Sequence, residues 1–449
     1  MGLFDNVRDR IIDWVMGGID SAYEKRADEI LDRREYRIGM QKEFIKTKPG
    51  QINDNIVINF LGLVVDRSVS FLFGKGVEFD FGEEEENDKA REQVDAIWAD
   101  NHRNILLHRL GTFGAESGTV FVKLMPREGL TPRIIALDPS LMDVKTDPND
   151  WEQITEYVIQ YKTDDGEGND VYHKEVTRIG DQPDTWIVET FEKRNSGQWV
   201  MTDSVTWLHE FAPIMTWQNM PSLQGVWGMP DITTSAMDIQ DRANLVASNI
   251  SKIIRVYAHP QRFGLNLGNT NSLEMGPDQM PNFTGTGADI RQLEPAGDLA
   301  SSMNYLMMLR QSMMDTTRTV DISNVKDKIG AGLTNFGVRL LYQDGLQKLE
   351  TKRTLYGEAL CEINRRLLIL DGMAEPPECD IIWPEPLPEN ATEETAALEA
   401  ARRMEVVSKQ TVATRLEYDW EDEVQRLSEE QAAGDNLGAA LLRAFDQGA

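Results

Sequence analysis

The sequence predicts an α+β protein in which helical and strand-rich stretches are segregated along the chain. Three observations carry this. Apolar residues recur at helical spacing in 88–113, 231–255, 298–318 and 334–370. Six short runs rich in β-branched and aromatic residues lie together between Gly118 and Phe211, punctuated by turns such as Asp164-Asp165-Gly166 and Asn195-Ser196-Gly197. The 449 residues are 41% hydrophobic and 27% charged, an ordinary globular mixture at a length that accommodates several cores.

In order, 5–46 reads as helical through Ile11, Ile12, Trp14, Val15 and Ile19, then through a charged stretch, Glu24 to Arg37. Gln51 to Phe73 places Ile58, Leu61, Val65 and Val69 at helical spacing and is expected as a buried helix that stops at Gly74-Lys75-Gly76. Val77 to Phe81 alternates as a strand does, and Glu83 to Glu86 is a like-charge block suited to a solvated loop. Asp88 to Phe113 is expected as one amphipathic helix. Thr119–Leu124, Arg133–Leu137, Ile154–Tyr161, Val171–Arg178, Thr185–Lys193 and Gln198–Phe211 are then expected as a meander of hairpins.

From Pro230, a residue that helix N-termini accept, the chain turns helical. Asp231 to Arg255 would extend ~37 Å, its stripe of Ile232, Ile239, Val246 and Ile253 opposing Asp238, Asp241, Asn249 and Lys252. Residues 256–292 are rich in Gly, Pro and Asn and read as a loop-rich insertion. A second helix, 298–318, carries Met303, Met307 and Met314 on one face, a stripe whose ordinary role is core packing. After the polar, glycine-bearing stretch Asp321–Leu333 comes a long helical pattern, Thr334 to Leu370, of about 55 Å if continuous, in which Gly337, Gly345 and Gly357 allow a bend. Asp380 to Trp383 reads as a strand, and 392–405, 408–415 and 421–433 as acidic surface helices.

Chemistry is sparse. His209-Glu210 opens like a zinc-protease motif, but Pro213 stands where the second histidine belongs, and the five histidines show no ligand spacing. Gly74-Lys75-Gly76 lacks the other residues of a phosphate-binding loop, no nucleophile-elbow motif occurs, and Asp164–Asp170 suits a hairpin loop better than a calcium site. No catalytic residue, metal site or cofactor is expected. Cys361 and Cys379 are the only cysteines; without CxxC spacing they fit a reducing compartment and argue against a disulfide scaffold. The most apolar stretch, 56–73, is interrupted by Asn59, Asp66 and Arg67, so no membrane span is expected; the first residues lack a signal-peptide pattern, and Asn6 breaks a myristoylation motif. The net charge of −29 opposes a protein that grips nucleic acid by neutralising phosphates. Two long helices flanking an irregular insertion, with no chemical site, suggest a mechanical part.

Tyr36-Arg37-Ile38-Gly39-Met40-Gln41, the block Asn55 to Gly76, Asn101 to Lys123, Pro139-Ser140, Gly228-Met229-Pro230-Asp231-Ile232 and the tail from Ser408 to Glu430 together resemble, in their order, the portal proteins of tailed bacteriophages, in the branch typical of phages with long non-contractile tails. The resemblance departs at Asn335-Phe336-Gly337-Val338, where that family often starts its long helix with a Ser-Gly-x-Ala pattern.

The resemblance implies a portal architecture assembled as a ring, typically of twelve copies, at one capsid vertex. The parts would be a wing (1–229 and 334–389), stem helices (230–255 and 297–320), a clip (256–296), a tunnel loop (321–333) and a C-terminal crown (390–449). It implies a channel for packaging and ejecting double-stranded DNA, with the large terminase, a head-completion adaptor, and the major capsid and scaffold proteins as partners. Location would be the virion, and the host cytoplasm during assembly. On the tunnel loop, Ser323, Asn324, Lys326 and Lys328 are the expected DNA contacts, small polar groups and cations able to meet phosphate; on the clip, Arg262, Phe263, Asn266 and Asn269 are the expected partner contacts. The competing readings are an acidic minor head or scaffold-type protein that binds only protein, and a hydrolase using paired carboxylates.

Overall fold

The computed structural model describes residues 21–428 except 47–49, 51, 83, 85–86, 167–168, 181, 183, 195–196, 224, 259–261, 266–285, 288, 293–298, 321–334, 388–390, 405 and 417. Two compact units divide the chain, Met1–Asp327 with Leu341–Pro386, and Lys328–Leu340 with Leu387–Ala449.

Among the described residues the first unit begins with α1 (Ser21–Ile38) and α2 (Phe60–Phe73); the 5–20 part of the expected helical stretch lies outside them. The expected helix over 51–73 forms only from Phe60, where Asn59 Oδ1 accepts from Gly62 N at 3.0 Å. The described residues from Ile52 to Asn59 are not helical, because other partners capture their backbone groups, as shown below. After β1 (Glu78–Asp80), the expected helix 88–113 is two, α3 (Asp88–Asp100) and α4 (Arg103–Ser117). Buried Asn101 causes the break. Its amide donates to the carbonyls of Ile97 (2.8 Å) and Pro132 (3.0 Å) and accepts from Ile134 N (2.9 Å), and His102 then takes a left-handed φ of 55°.

The strand-rich region follows: β2 (Thr119–Arg127), β3 (Leu130–Leu137), β4 (Met142–Thr146), β5 (Ile154–Asp164), β6 (Asp170–Ile179), β7 (Trp186–Arg194), β8 (Val200–Trp207) and β9 (Ile214–Gln218). They form two antiparallel sheets, β3-β2-β9 and the meander β4-β5-β6-β7-β8. The sequence pattern missed β4 and β9 and ran β8 on to Phe211. β4 is half-buried along most of its length and so lacks a clean alternation, and β9 is recognisable only by its pairing with β2, Thr119 opposite Gln218 through Lys123 opposite Ile214.

Next come α5 (Thr234–Ala258), β10 (Arg262–Leu265), β11 (Asp289–Gln292) and α6 (Leu299–Thr317). Pro230 precedes the start of α5 by four residues rather than opening it; Thr233 Oγ1 caps the helix by accepting from Ala236 N at 3.3 Å. The insertion expected to be irregular contains the antiparallel pair β10–β11. The methionine stripe on α6 divides. Met314 is buried, whereas Met303 and Met307 are 50% and 63% exposed. The long helical pattern from 334 is α7 (Asn335–Leu341) and α8 (Gln343–Leu370), interrupted at Tyr342 rather than bent at a glycine. β12 (Asp380–Ile382) closes the first unit by pairing antiparallel with β1.

The main core lies where α2, α3, α4 and β2 meet α8, and includes Leu72, Ile97, Trp98, Leu107, Leu110, Val120, Tyr356, Leu360 and Leu367. Trp98 is fully buried and its indole N–H donates to Asn364 Oδ1 at 2.7 Å, so the ring contributes apolar area without stranding a donor. In the second unit, α9 (Ala391–Arg403), α10 (Lys409–Arg415) and a helical stretch at 420–428 are described. Ser408 caps α10 by accepting from Thr411 N at 3.1 Å. Among the described residues no helix is long and apolar enough to cross a membrane.

Candidate functional site

Ser323, Asn324, Lys326 and Lys328 lie outside the described residues, as do Asn266 and Asn269. Arg262 and Phe263 stand on β10, their backbones paired with Gln292 and Arg291. What the structure does describe is Val320, the residue at which the 321–333 segment is rooted, and α8 (Gln343–Leu370) further along the chain.

A cavity of about 40 Å³ sits at this root, lined by Arg67, Ser68, Arg318, Val320, Tyr342 and Lys348 among others. Arg318 follows α6 with φ 53°, an uncommon conformation for a residue other than glycine. Cations hold the carbonyls on either side of that turn. Lys348 Nζ donates to Thr317 O at 3.0 Å, and Arg67 Nη1 to Val320 O at 2.5 Å. Positive charge is favoured there because the last carbonyls of a helix have no intrahelical donor.

Behind the cavity, Asp231 meets two lysines, Lys348 at 3.0 Å and Lys352 at 2.6 Å; Lys352 also donates to Ser68 Oγ at 2.9 Å. The Asp231 side chain is wholly buried and that of Lys352 nearly so. Burial alone would raise Asp231, but the two ammonium groups outweigh it and hold the carboxyl well below the usual range. Burial, with Lys348 beside it, pulls Lys352 down to about 8 against the attraction of Asp231. Two cations on one anion leave a surplus buried charge, and Lys352 is the member that yields.

The local chain explains how Asp231 arrives there. Gly118 ends α4 with φ 85° and packs so tightly on Gly228 that a Cβ on either would lie within 2.3 Å of the other's carbonyl oxygen. Only glycine at both positions permits that approach. Asp231 N then donates to Ala115 O at 2.8 Å, while buried Asn219 donates to Met229 O (3.1 Å) and accepts from Tyr356 Oη (3.1 Å). A second charged cluster lies nearby along α4. Nearly buried Glu116 takes Arg34 at 3.1 Å and Arg37 at 3.3 Å, and Arg34 also pairs bidentately with Asp138 at 2.9 Å.

The sequence predicts no site role for these residues. Lys348 and Lys352 carried one faint signal, two lysines four apart on a core-facing helix, and Asp231 was absorbed into a predicted helix start. Among the described residues no three His, Cys, Asp or Glu side chains are grouped to hold a metal ion. His209 stacks on Phe211 with ring centroids 5.3 Å apart, and the 164–170 loop joins β5 to β6 through an Asp164 side chain that accepts from Gly166 N. The arrangement is a joint. It ties α2, α4, α6, α8 and the approach to α5 together where the 321–333 segment is rooted.

The sequence profile of the family described as phage portal protein, SPP1 Gp6-like, matches residues 19–436. A chain from the neck of an empty GTA particle computed with C6 symmetry aligns at 12% identity, covering 80% of this chain and 90% of that one, with a TM-score of 0.47. A chain from the virion of a native gene transfer agent particle aligns at 12% identity, covering 86% and 99%, with a TM-score of 0.46. No curated protein matches the sequence.

Proposed function

The chain belongs to the SPP1 Gp6-like phage portal protein family, and from that premise we propose that it assembles as a ring, of twelve copies, through which double-stranded DNA is packaged and ejected. Its place is the portal vertex of the virion, as part of the head–tail connector, and its role is structural rather than catalytic. Within the ring, 1–229 and 334–389 form the wing, 230–255 and 297–320 the stem, 256–296 the clip, 321–333 the tunnel loop and 390–449 the crown. The clip docks first the large terminase and then the head-completion adaptor, with Arg262, Phe263, Asn266 and Asn269 as contacts. The wing faces capsid and scaffold proteins, assembly taking place in the host cytoplasm.

One observation carries this reading: the family match runs from 19 to 436 and so includes both helices that flank the insertion, the insertion itself and the long α8. The net charge of −29 fits a conduit. Duplex DNA carries about one negative charge per 1.7 Å, so an acidic wall disfavours sticking, and a few cations on a loop are enough for local guidance. Negative-stain microscopy of the purified protein tests the assembly. Rings with a central hole are expected, and a persistent monomer or dimer refutes the proposal.

A further inference from the structure

We propose that Cys361 and Cys379 form a redox-active dithiol, which a low-molecular-weight disulfide converts into an intramolecular disulfide that staples α8 to β12. They are the chain's only cysteines, and their sequence spacing predicts no partnership. Packing creates one.

The segment carrying Cys379 and β12 runs along α8 in the opposite direction. Gly357 of α8 faces Ile381 and Trp383, whose side chains would lie 3.9 and 3.7 Å from a Cβ at that position. Four helical residues advance about 6 Å and two extended residues about 6.6 Å. The next turn of α8 therefore brings Cys361 opposite Cys379. One turn further, Asn364 Nδ2 donates to Cys379 Sγ at 3.4 Å. The other end of that amide accepts from the buried Trp98 indole at 2.7 Å, which fixes the amide with its NH₂ group towards the sulfur.

Structural cysteines in apolar surroundings are inert because nothing there stabilises a thiolate. Here the Asn364 amide donates to the Cys379 sulfur, whose own proton is held only by a long 3.6 Å contact to Asp380 O. The Cys361 proton and the Asn364 amide pull the Cys379 thiol below its ordinary value against the effect of burial, while Cys361 is pushed up by the same partner and by burial. Both cysteines are half-buried and neither is in a disulfide.

The exchange proceeds in two steps. The Cys379 thiolate attacks one sulfur of the small disulfide, forming a mixed disulfide and expelling one small thiolate. Cys361 then loses its proton and attacks the Cys379 sulfur, closing the Cys361–Cys379 bond and expelling the second small thiol. Two protein thiols are oxidised, one small disulfide is reduced to two thiols, and the protons leave with them. A chain made in a reducing compartment and carried outside in a particle would acquire the staple after release; that consequence rests on the proposed function, whereas the chemistry does not.

The test uses the purified full-length protein in its native state, glutathione disulfide as the reagent, acid quenching, alkylation and peptide mass mapping. We expect a 361–379 cross-link, a thermal midpoint that rises on oxidation and returns on reduction, and neither change in Cys361→Ser or Cys379→Ser. In Cys361→Ser the mixed disulfide should accumulate on Cys379, whereas in Cys379→Ser modification of Cys361 should be at least ten-fold slower. A cross-link that forms only in denaturant, or mixed disulfides on both cysteines of the wild-type chain without a cross-link, overturns the proposal. Mapping of the wild-type protein needs no variant, and it reads the same whether or not the chain forms rings.

Discussion

Asp231 concentrates more consequence than any other described side chain. It is an ionised carboxylate without solvent, held by Lys348 and Lys352, at the end of a link that Gly118 and Gly228 allow to pass. Removing its charge strands two ammonium groups in the interior, so Asp231→Asn should destabilise the protein by about 3–5 kcal/mol, read as a lowered urea midpoint. Lys352→Met should cost much less, because Lys348 still neutralises Asp231 and the surplus cation is gone. The two groups also predict the pH dependence. Asp231 titrates in the folded protein below its unfolded value, so its contribution is present above about pH 4 and is lost as pH falls through the folded value. Lys352 titrates at about 8 when folded against 10.5 ordinarily. Below pH 8 the full cost of its buried charge is felt; between 8 and 10.5 the unfolded chain keeps a proton that the folded chain sheds, so this group adds stability as pH rises. Urea midpoints of the wild type should gain on those of Lys352→Met across that window.

At the scale of elements, α5 is the instructive case. Its sequence displays an apolar stripe, yet the positions it buries most completely are Ala236, Gln240, Ala243, Asn244, Ala247 and Ser248, all small or polar. The partner is the extended backbone of 54–60. Ser248 Oγ accepts from Ile56 N (2.9 Å), Asn244 Oδ1 from Ile58 N (3.0 Å) and Gln240 Oε1 from Phe60 N (3.2 Å), while Gln240 Nε2 donates to Ile58 O (2.6 Å). Beyond them Arg255 grips Asp54 through both oxygens. A step of four along the helix, about 6 Å, matches a step of two along extended chain, about 6.6 Å, so the side chains of α5 supply what a neighbouring strand would supply. This also explains why the helical pattern over 52–59 yields no helix: backbone donors it would need are taken. Asn244→Leu should cost about 1–3 kcal/mol by leaving the half-buried Ile58 N–H unpaired. Asp238→Ala, on the exposed side of the same helix, should stay within about 0.5 kcal/mol. Chemical denaturation of both variants checks the contrast.

For the whole molecule, the net charge of −29 first argues against a nucleic-acid partner and then, for a conduit, describes passage with sparse contact. The expected contacts are Lys326 and Lys328. A Lys326→Glu/Lys328→Glu double variant should assemble normally and package DNA poorly; full DNA content in particles carrying it would remove the tunnel-loop assignment. Such a split is expected because the packed joint at Val320 is made by Arg67, Lys348 and Lys352, none of which the double variant alters.

What the sequence by itself determined is the class of the protein. Local periodicity located every helix of the first unit from α3 onward, although it fused α3 with α4 and missed the interruption at Tyr342. Alternation located most strands of the meander, and the ordered motifs led to the family. Those signals survive in sequence because they arise from contacts between near neighbours along the chain. The tertiary structure alone decided the Asp231 joint, the ladder on α5, the breaks at Asn101 and Tyr342, the strands β4 and β9, and the meeting of Cys361 with Cys379. Each depends on partners distant in sequence. A buried carboxylate, an amide facing a backbone or a pair of thiols has no periodicity of its own, and its role exists only once packing has removed water and chosen its neighbour.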